Sequence, residues 1–214
     1  MSNVKVVYWP GFSGRAEPIF FLLEAAKQAY VWDEDVSGFK AGNKGAPVFA
    51  CPFLEQGGVV MSQTTAILVE LGNQFGFAPK AGESGTALMM SLNLGDVWAE
   101  AYTGRKGADK GDSFLSTRLP QWIQVLDGLA VRTSSGEDFL FGNDPTYVDF
   151  QLLNLVNVLE FMYGDPAAAQ LRNASPRLHR IAQNVRALPA IAAYVASDRY
   201  KPVLYPSIRA ELSQ

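Results

Sequence analysis

The feature that most constrains this chain is a change in its hydrophobic pattern about a third of the way along. Up to Pro79, short β-branched and aromatic runs alternate with one-sided helical stretches, and two of the runs flank the turn Gly57-Gly58. Beyond Pro79, apolar residues recur at three- and four-residue spacing. The pattern predicts an α/β domain with a mixed sheet, followed by an all-α helical domain.

The predicted elements of the first part follow the order β-α-β-loop-β-β-α. The Gly-rich stretch 37–46 carries few apolar residues and predicts an irregular surface loop, and residues 77–83 are typical of a linker. We therefore expect domains at 1–79 and 84–214. Helices in the second part are predicted over 87–102, 114–131, 147–163, 177–185 and 190–195.

Composition excludes several classes of function. The 214 residues carry a net charge of -3, which gives no bulk attraction for nucleic acid or an anionic membrane surface. One cysteine and one histidine are too few for an internal disulfide or a zinc cluster. The chain has no run of about 18 apolar residues and no secretory signal, so we expect a cytoplasmic protein that neither spans nor binds a membrane.

Four short motifs occur in a distinctive order. They are VYWP with SGRAE between residues 7 and 17, FACPF at 49–53, GGVVMSQTTAI at 57–67, and GNDPTYVDF at 142–150. Together they resemble the glutathione site and the helix-capping motif of the cytosolic glutathione transferases, in the tyrosine-using sigma, pi, mu and alpha classes. The resemblance covers essentially the whole chain. It implies a thioredoxin-like N-terminal domain, a helical C-terminal domain and a homodimer.

The function implied by the resemblance is the conjugation of glutathione, as co-substrate, to small hydrophobic electrophiles, with no prosthetic cofactor and no metal. Tyr8, at the end of the first predicted strand, is the catalytic candidate. A phenol there can donate a hydrogen bond to sulfur, which favours the nucleophilic thiolate over the thiol. Without the surrounding motifs, Tyr8 would be an ordinary strand aromatic.

The resemblance also assigns glutathione-binding residues. Arg15 would face the tripeptide, and Cys51, before a cis-Pro52, would pair with its cysteinyl part through the backbone. Gln63 and the hydroxyl and N–H of Thr64 would hold the γ-glutamyl carboxylate, although Thr64 is equally suited to cap a helix. The glycyl carboxylate would be held from the loop that carries Phe39, Lys40 and Lys44.

Other assignments depend on the helical half. Asp96 is a candidate for reaching the glutathione amine of a neighbouring subunit. Thr146 and Asp149 have the spacing of a capping box, which is a structural site. Candidate residues for the electrophile pocket are Phe12, Trp98, Tyr102 and Tyr205.

Three alternatives remain open at the level of sequence. A glutathione-dependent isomerase or peroxidase would use the same Tyr8, and a non-catalytic binding protein can share the fold. Thiol–disulfide chemistry at Cys51 is a third, and Ser13 is a second candidate for stabilising the thiolate. The chain departs from pi-like sequences in two ways: Ala50 stands in place of glutamine, and one extra residue lies between Tyr8 and Arg15. These departures leave its class within the family undecided.

Overall fold

A four-stranded mixed sheet forms the first part of the protein. The computed structural model describes residues 3–43, 45–134 and 138–205. Its strands are β1 (Val4–Val7), β2 (Tyr30–Asp33), β3 (Phe53–Gln56) and β4 (Val59–Ser62), in the spatial order β2-β1-β3-β4. β1 pairs in parallel with β2, and the other two pairings are antiparallel. The predicted fold class, a mixed sheet followed by helices, is confirmed.

Alternation along β1 sends its side chains to the two faces of the sheet. Val4 and Val6 join the main hydrophobic core, whereas Val7 packs with Phe39 and Phe53 on the opposite face. The main core lies against α1 (Glu17–Ala25), which follows a 3₁₀ turn over Gly14–Ala16. Because of this turn, α1 begins at Glu17 and Arg15 lies ahead of it.

The predicted loop over 37–46 is wrong in its first half, where α2 (Val36–Gly42) forms. The Asp35 side chain accepts a hydrogen bond from the Gly38 N–H at 2.8 Å and so caps the helix. Val36 and Phe39, three residues apart, bury one face of this helix against the sheet. Two apolar residues were sufficient, because the sheet supplies the rest of the core.

The hairpin between β3 and β4 is confirmed. Gly57 and Gly58 have φ angles of 59° and 82°, the conformation that a two-residue hairpin turn requires. β3 begins only after Pro52, so residues 48–50 lie outside the strand. α3 (Thr64–Phe75) follows β4 and is capped by Gly76, whereas Gly72 is buried within the helix.

The second part of the described chain is helical. Its helices are α4 (Ser84–Lys106), α5 (Leu119–Thr133, after a π-helical turn at Phe114–Arg118), α6 (Tyr147–Tyr163), α7 (Asp165–Ala174), α8 (Pro176–Ala187) and α9 (Pro189–Val195). The bounds predicted for α6 are confirmed, and α7 was not predicted. Across the described ranges, no helix is long and apolar enough to cross a membrane.

α6 is the central helix, packed against α1, α4 and α8. The capping box at its start is present, with the Asp149 carboxylate accepting the Thr146 N–H at 2.7 Å. One hydrophobic cluster runs from β1 and α1 through α6 to α9. Because that cluster is continuous, the division into 1–79 and 84–214 stays a prediction.

Candidate active site

Tyr8 follows β1 and points toward the start of the first helical segment. Its side chain is 6% exposed, and its hydroxyl oxygen accepts the Arg15 backbone N–H at 3.0 Å. Because that N–H occupies one lone pair of the oxygen, the phenol's own proton remains available to another acceptor. The arrangement supplies a buried, oriented O–H donor at the end of a strand.

Burial also determines the charge state of Tyr8. Loss of solvation raises the pKa of Tyr8 to about 12, although the Arg15 N–H partly opposes the rise. The group is therefore a neutral phenol at physiological pH. A neutral phenol is a donor, which suits it to stabilise an anion formed beside it.

Gly14 is required for the close approach of this loop to Tyr8. Its φ is +47°, and a Cβ built on it would lie 2.3 Å from the Tyr8 hydroxyl oxygen. Any larger residue would displace the phenol from its contact with Arg15. The sequence SGRAE thus contributes a backbone shape to the site in addition to its side chains.

A buried polar network lies behind the Gly14–Arg15 peptide, and sequence reasoning missed it. Asn154 of α6 donates from Nδ2 to the Gly14 carbonyl at 3.0 Å and to Glu17 Oε2 at 2.8 Å. Glu17 also accepts from Asn157 Nδ2 at 3.1 Å and from the Tyr200 hydroxyl at 3.0 Å. Full burial raises the pKa of Glu17 to about 7 despite these donors. The available signal was a polar residue interrupting the apolar pattern of α6.

Ser13, the second candidate for thiolate stabilisation, belongs to this interior and does not reach the site. It is fully buried, and its hydroxyl lies within 3.2 Å of the Lys201 and Pro202 carbonyls. Its N–H donates to the Pro202 carbonyl at 2.9 Å. With its hydroxyl held by carbonyls, Ser13 is not available to a ligand.

The Cys51–Pro52 peptide bond is cis, as the resemblance implied. The Cys51 thiol is half-buried, and desolvation raises its pKa. A raised pKa leaves little thiolate at neutral pH, which disfavours thiol–disulfide chemistry through this side chain. The charge of Lys40 partly opposes this rise in the pKa of Cys51.

Gln63 and Thr64 stand where β4 passes into α3. Gln63 has a positive φ of 74°, which is uncommon for a residue with a side chain. The Thr64 hydroxyl donates to the Arg15 carbonyl at 3.0 Å, and Gln63, not Thr64, is the N-cap residue. The expected donation by the Thr64 hydroxyl to a ligand is therefore corrected, whereas its backbone N–H stays a candidate.

A cleft of about 630 Å³ lies beside this corner, between α3, α4 and α6. Arg15, Gln63, Thr64 and Asp96 all line it. The Arg15 guanidinium stands 4.8 Å from the centre of the Trp98 ring, in a cation–π contact. With Trp98, which also lines the cleft, five of the candidate site residues lie around one cavity within a single chain.

The candidates for the electrophile pocket form two aromatic pairs. The Phe12 ring lies 5.5 Å from Tyr8 and 4.4 Å from Tyr205. Trp98 stacks on Tyr102 at 5.6 Å, and Tyr102 is near enough to contribute to the raised pKa of Tyr8. Phe12 is therefore in direct ring contact with Tyr8, and Tyr205 packs on Phe12.

Phe39, Lys40 and Lys44 are the sequence candidates for holding the glycyl carboxylate. Phe39 is 7% exposed and stacks on Phe53 at 5.4 Å, so its ring belongs to the core and is corrected as a ligand contact. Lys44 lies outside the described residues. Lys40, also named from the sequence, is exposed, with its Nζ 5.2 Å from the Phe49 ring centre.

A tyrosine follows β1 and a cis-proline precedes β3, in a sheet that is joined to a helical second half. This arrangement defines a class of proteins with a thioredoxin-like part and an all-helical part. The family model "Glutathione S-transferase, C-terminal domain" matches residues 94–198. The chain is 28% identical to glutathione S-transferase P 1 of Xenopus laevis, over 92% of this chain and 94% of that protein. It is 26% identical to human glutathione S-transferase P, over 94% and 95% of the two chains.

Solved structures give the same answer for the fold. The pi-class glutathione S-transferase of Onchocerca volvulus superposes with a TM-score of 0.77 at 21% identity, covering 90% of this chain and 91% of that one. The glutathione S-transferase of Ascaris lumbricoides gives 0.77 at 22% identity, over 94% and 100%. Over more than nine-tenths of its length the chain is thus similar to glutathione S-transferases, and these relatives are of the P, or pi, type.

Proposed function

We propose that this protein is a glutathione transferase in which Tyr8 stabilises the glutathione thiolate. The observation that carries the proposal is the buried Tyr8 phenol, whose oxygen accepts the Arg15 N–H and whose proton is left to donate. The thiol proton passes to solvent, and the sulfur lone pair forms a C–S bond to the electrophile. The electron pair of the carbon centre departs with a leaving group or moves to a neighbouring atom.

Glutathione would lie along the corner between Pro52 and α3. The start of α3 offers free N–H groups and a positive dipole end to the γ-glutamyl carboxylate, with Gln63 beside them. Cys51 would contribute its backbone, and Lys40, whose charge acts on the Cys51 thiol, is a candidate cation for the glycyl carboxylate. Arg15 would complete the positive surroundings of a tripeptide that carries two carboxylates.

The electrophile would bind against the aromatic rings around Tyr8. Phe12 packs on the Tyr8 ring and Tyr205 packs on Phe12, which gives an apolar surface that suits small hydrophobic molecules, with Tyr102 as a further candidate. A hydrophobic wall also excludes water from the thiolate and strengthens the hydrogen bond from Tyr8. We propose that the reaction takes place in the cytoplasm.

We also propose that the protein is a homodimer. Phe49 is 86% exposed on the loop before β3, and α4 exposes Leu88, Met89 and Leu92 along one side. A protruding aromatic ring and an apolar helix face on one chain are complementary surfaces that a two-fold axis would bring together twice. Asp96 lies on α4 in the adjoining cleft, so either subunit is a candidate for its glutathione contact.

The test is an ultraviolet difference spectrum of bound glutathione, recorded across pH for the wild-type protein and for Tyr8→Phe. The wild type should show thiolate absorbance at neutral pH. Tyr8→Phe should still bind glutathione, lose most of that absorbance, and conjugate a model electrophile about 100-fold more slowly. The reason is that removing one O–H donor removes the stabilisation of the anion without changing the fold.

Each other result has a defined meaning. Thiolate at neutral pH in both proteins would assign activation to a group other than Tyr8. Glutathione bound without thiolate in either protein would point to a non-catalytic holder. Failure to bind glutathione at all would overturn the proposed function.

A further inference from the structure

The peptide between Gly14 and Arg15 is bonded at both of its ends. Its N–H, which belongs to Arg15, donates to the Tyr8 hydroxyl at 3.0 Å. Its carbonyl, which belongs to Gly14, accepts from Asn154 Nδ2 at 3.0 Å. One planar unit therefore joins the phenol to a side chain on α6, in the other half of the molecule.

Asn154 is itself held in place. Its Nδ2 group carries two protons, and the second bond runs to Glu17 Oε2 at 2.8 Å. Glu17 and Asn154 are both buried, so neither bond competes with solvent water. A chain of hydrogen bonds therefore joins Glu17, which accepts from Asn154, through the Gly14–Arg15 peptide to Tyr8.

We propose that Asn154 and Glu17 are positioning residues for the thiolate-activating Tyr8, acting through the Gly14–Arg15 peptide. This inference rests on the proposed function. When a peptide carbonyl accepts a hydrogen bond, its N–H becomes a better donor, and a phenol that accepts that N–H becomes a better donor in turn. The chain therefore orients the Tyr8 O–H and strengthens its donation to sulfur, without touching the substrate.

Glu17 acts in this chain as an acceptor that fixes the Asn154 amide. Its Oε2 accepts from Asn154 and Asn157, while its Oε1 receives the Tyr200 hydroxyl. Glutamine can reproduce this pattern, because its oxygen can face the two amides while its amino group donates to the hydroxyl, which can rotate to accept. Alanine cannot, and it leaves the Asn154 amide free to turn away.

Asn157 provides a matched control. It has the same side chain, lies one turn further along α6, and donates to the same Glu17 oxygen at 3.1 Å. Its Nδ2 donates to Glu17 and its Oδ1 accepts from Arg186 Nη2 at 2.7 Å, and neither bond involves the Gly14–Arg15 peptide. Its removal should therefore cost stability without reaching the phenol.

The experiment measures the thiol pKa of bound glutathione by thiolate absorbance in wild type, Asn154→Ala and Asn157→Ala. We expect Asn154→Ala to raise that pKa by about one unit, a tenfold loss of thiolate at neutral pH, and Asn157→Ala to change it by less than about 0.3 unit. Equal effects of the two substitutions would overturn the proposal. Absence of thiolate in the wild type would instead overturn the proposed function, and this inference would fall with it.

A double-mutant cycle separates positioning from general damage. In a Tyr8→Phe background, Asn154→Ala should shift the thiol pKa hardly at all, because the group through which it acts is already gone. The same shift in both backgrounds would show a purely structural role and contradict the proposal.

A second pair of substitutions keeps the proposal testable if Asn154→Ala does not fold. Glu17→Ala should raise the thiol pKa in the same direction as Asn154→Ala, whereas Glu17→Gln should retain a value close to the wild type. A Glu17→Gln protein that loses thiolate as severely as Glu17→Ala would show that Glu17 does not act by fixing the Asn154 amide.

Discussion

Gln63 occupies a backbone conformation that few side-chain-bearing residues adopt. Its φ of 74° and ψ of 114° place it outside the common regions, at the N-cap of α3. Its side chain is exposed and lines the cleft beside Arg15 and Asp96. Strain at a residue that faces a cleft is typical of binding sites, where function compensates for lost stability.

Replacing Gln63 by glycine should therefore separate stability from binding. Glycine adopts a positive φ without the Cβ clash, so Gln63→Gly should gain about 1 kcal/mol in the free energy of unfolding. It should also bind glutathione more weakly, because the side chain beside the γ-glutamyl carboxylate is lost. Urea unfolding and a glutathione titration on the same preparation measure both effects.

Lys27 is the control for that prediction. It also has a positive φ, 52°, and it is exposed at the end of α1, away from the cleft. Lys27→Gly should gain stability to a similar extent and leave glutathione affinity unchanged. If Gln63→Gly binds glutathione as well as Lys27→Gly does, Gln63 has no part in the site.

At the scale of elements, the start of α6 depends on one buried carboxylate. Asp149 accepts the Thr146 N–H at 2.7 Å, the Thr146 hydroxyl at 2.8 Å and the Leu140 N–H at 2.8 Å. Burial raises the pKa of Asp149 to about 6, so the anion is less favoured than in water even with three donors. The capping box thus joins the helix to the turn that precedes it.

Asp149→Ala should lower the free energy of unfolding by about 1–3 kcal/mol, since it leaves the Leu140 and Thr146 N–H groups buried without their acceptor. Chemical denaturation monitored by circular dichroism measures the change. Asp144→Ala, an exposed acid in the same turn, should alter stability by no more than about 0.5 kcal/mol. Similar losses for the two variants would show that the cap contributes little beyond surface charge.

The elements also show where sequence patterns succeed. α6 was predicted with its observed bounds, because its apolar period and its capping residues are both local signals. α2 was missed, because the stretch has few apolar residues and its helix is stabilised by packing of Val36 and Phe39 against the sheet. The β3–β4 hairpin was predicted because its turn requires glycine at Gly57 and Gly58, which the sequence shows directly.

At the scale of the whole molecule, the proposed dimer makes a prediction about Phe49. If its exposed ring is buried against a second copy, Phe49→Ser should weaken the dimer about 100-fold or more in Kd, because two rings are lost from each interface. Sedimentation velocity over a range of concentrations measures the dissociation constant. The monomer should retain its fold, because the ring lies outside both hydrophobic cores.

Val31→Ser is the matched control for the dimer. Val31 is 54% exposed on β2, at the opposite edge of the sheet from β4. It should dissociate no more readily than the wild type. A wild-type protein that sediments as a monomer, or a Phe49→Ser protein that stays dimeric, would contradict the proposed interface.

The sequence by itself determined the order of a mixed sheet and a helical half, the hairpin and the α6 cap, whereas the grouping of Tyr8, Pro52 and Gln63 in one site stays a prediction. These depend on local signals: periodicity, turn residues and the motifs that carry the resemblance. The sequence also suggested Phe39 and the Thr64 hydroxyl as ligand contacts. In the structure, the Phe39 ring stacks on Phe53 in the core, and the Thr64 hydroxyl donates to the Arg15 carbonyl.

Only the tertiary structure decided what surrounds Tyr8. The Arg15 N–H, the Gly14 carbonyl and Asn154 meet across 140 positions of sequence, and backbone groups leave no trace in residue identity. Glu17 likewise read as an ordinary acidic residue at a helix start until its burial among Asn154, Asn157 and Tyr200 was known. Polarity can be read from a chain, but the partners of a buried polar group depend on which distant elements pack together.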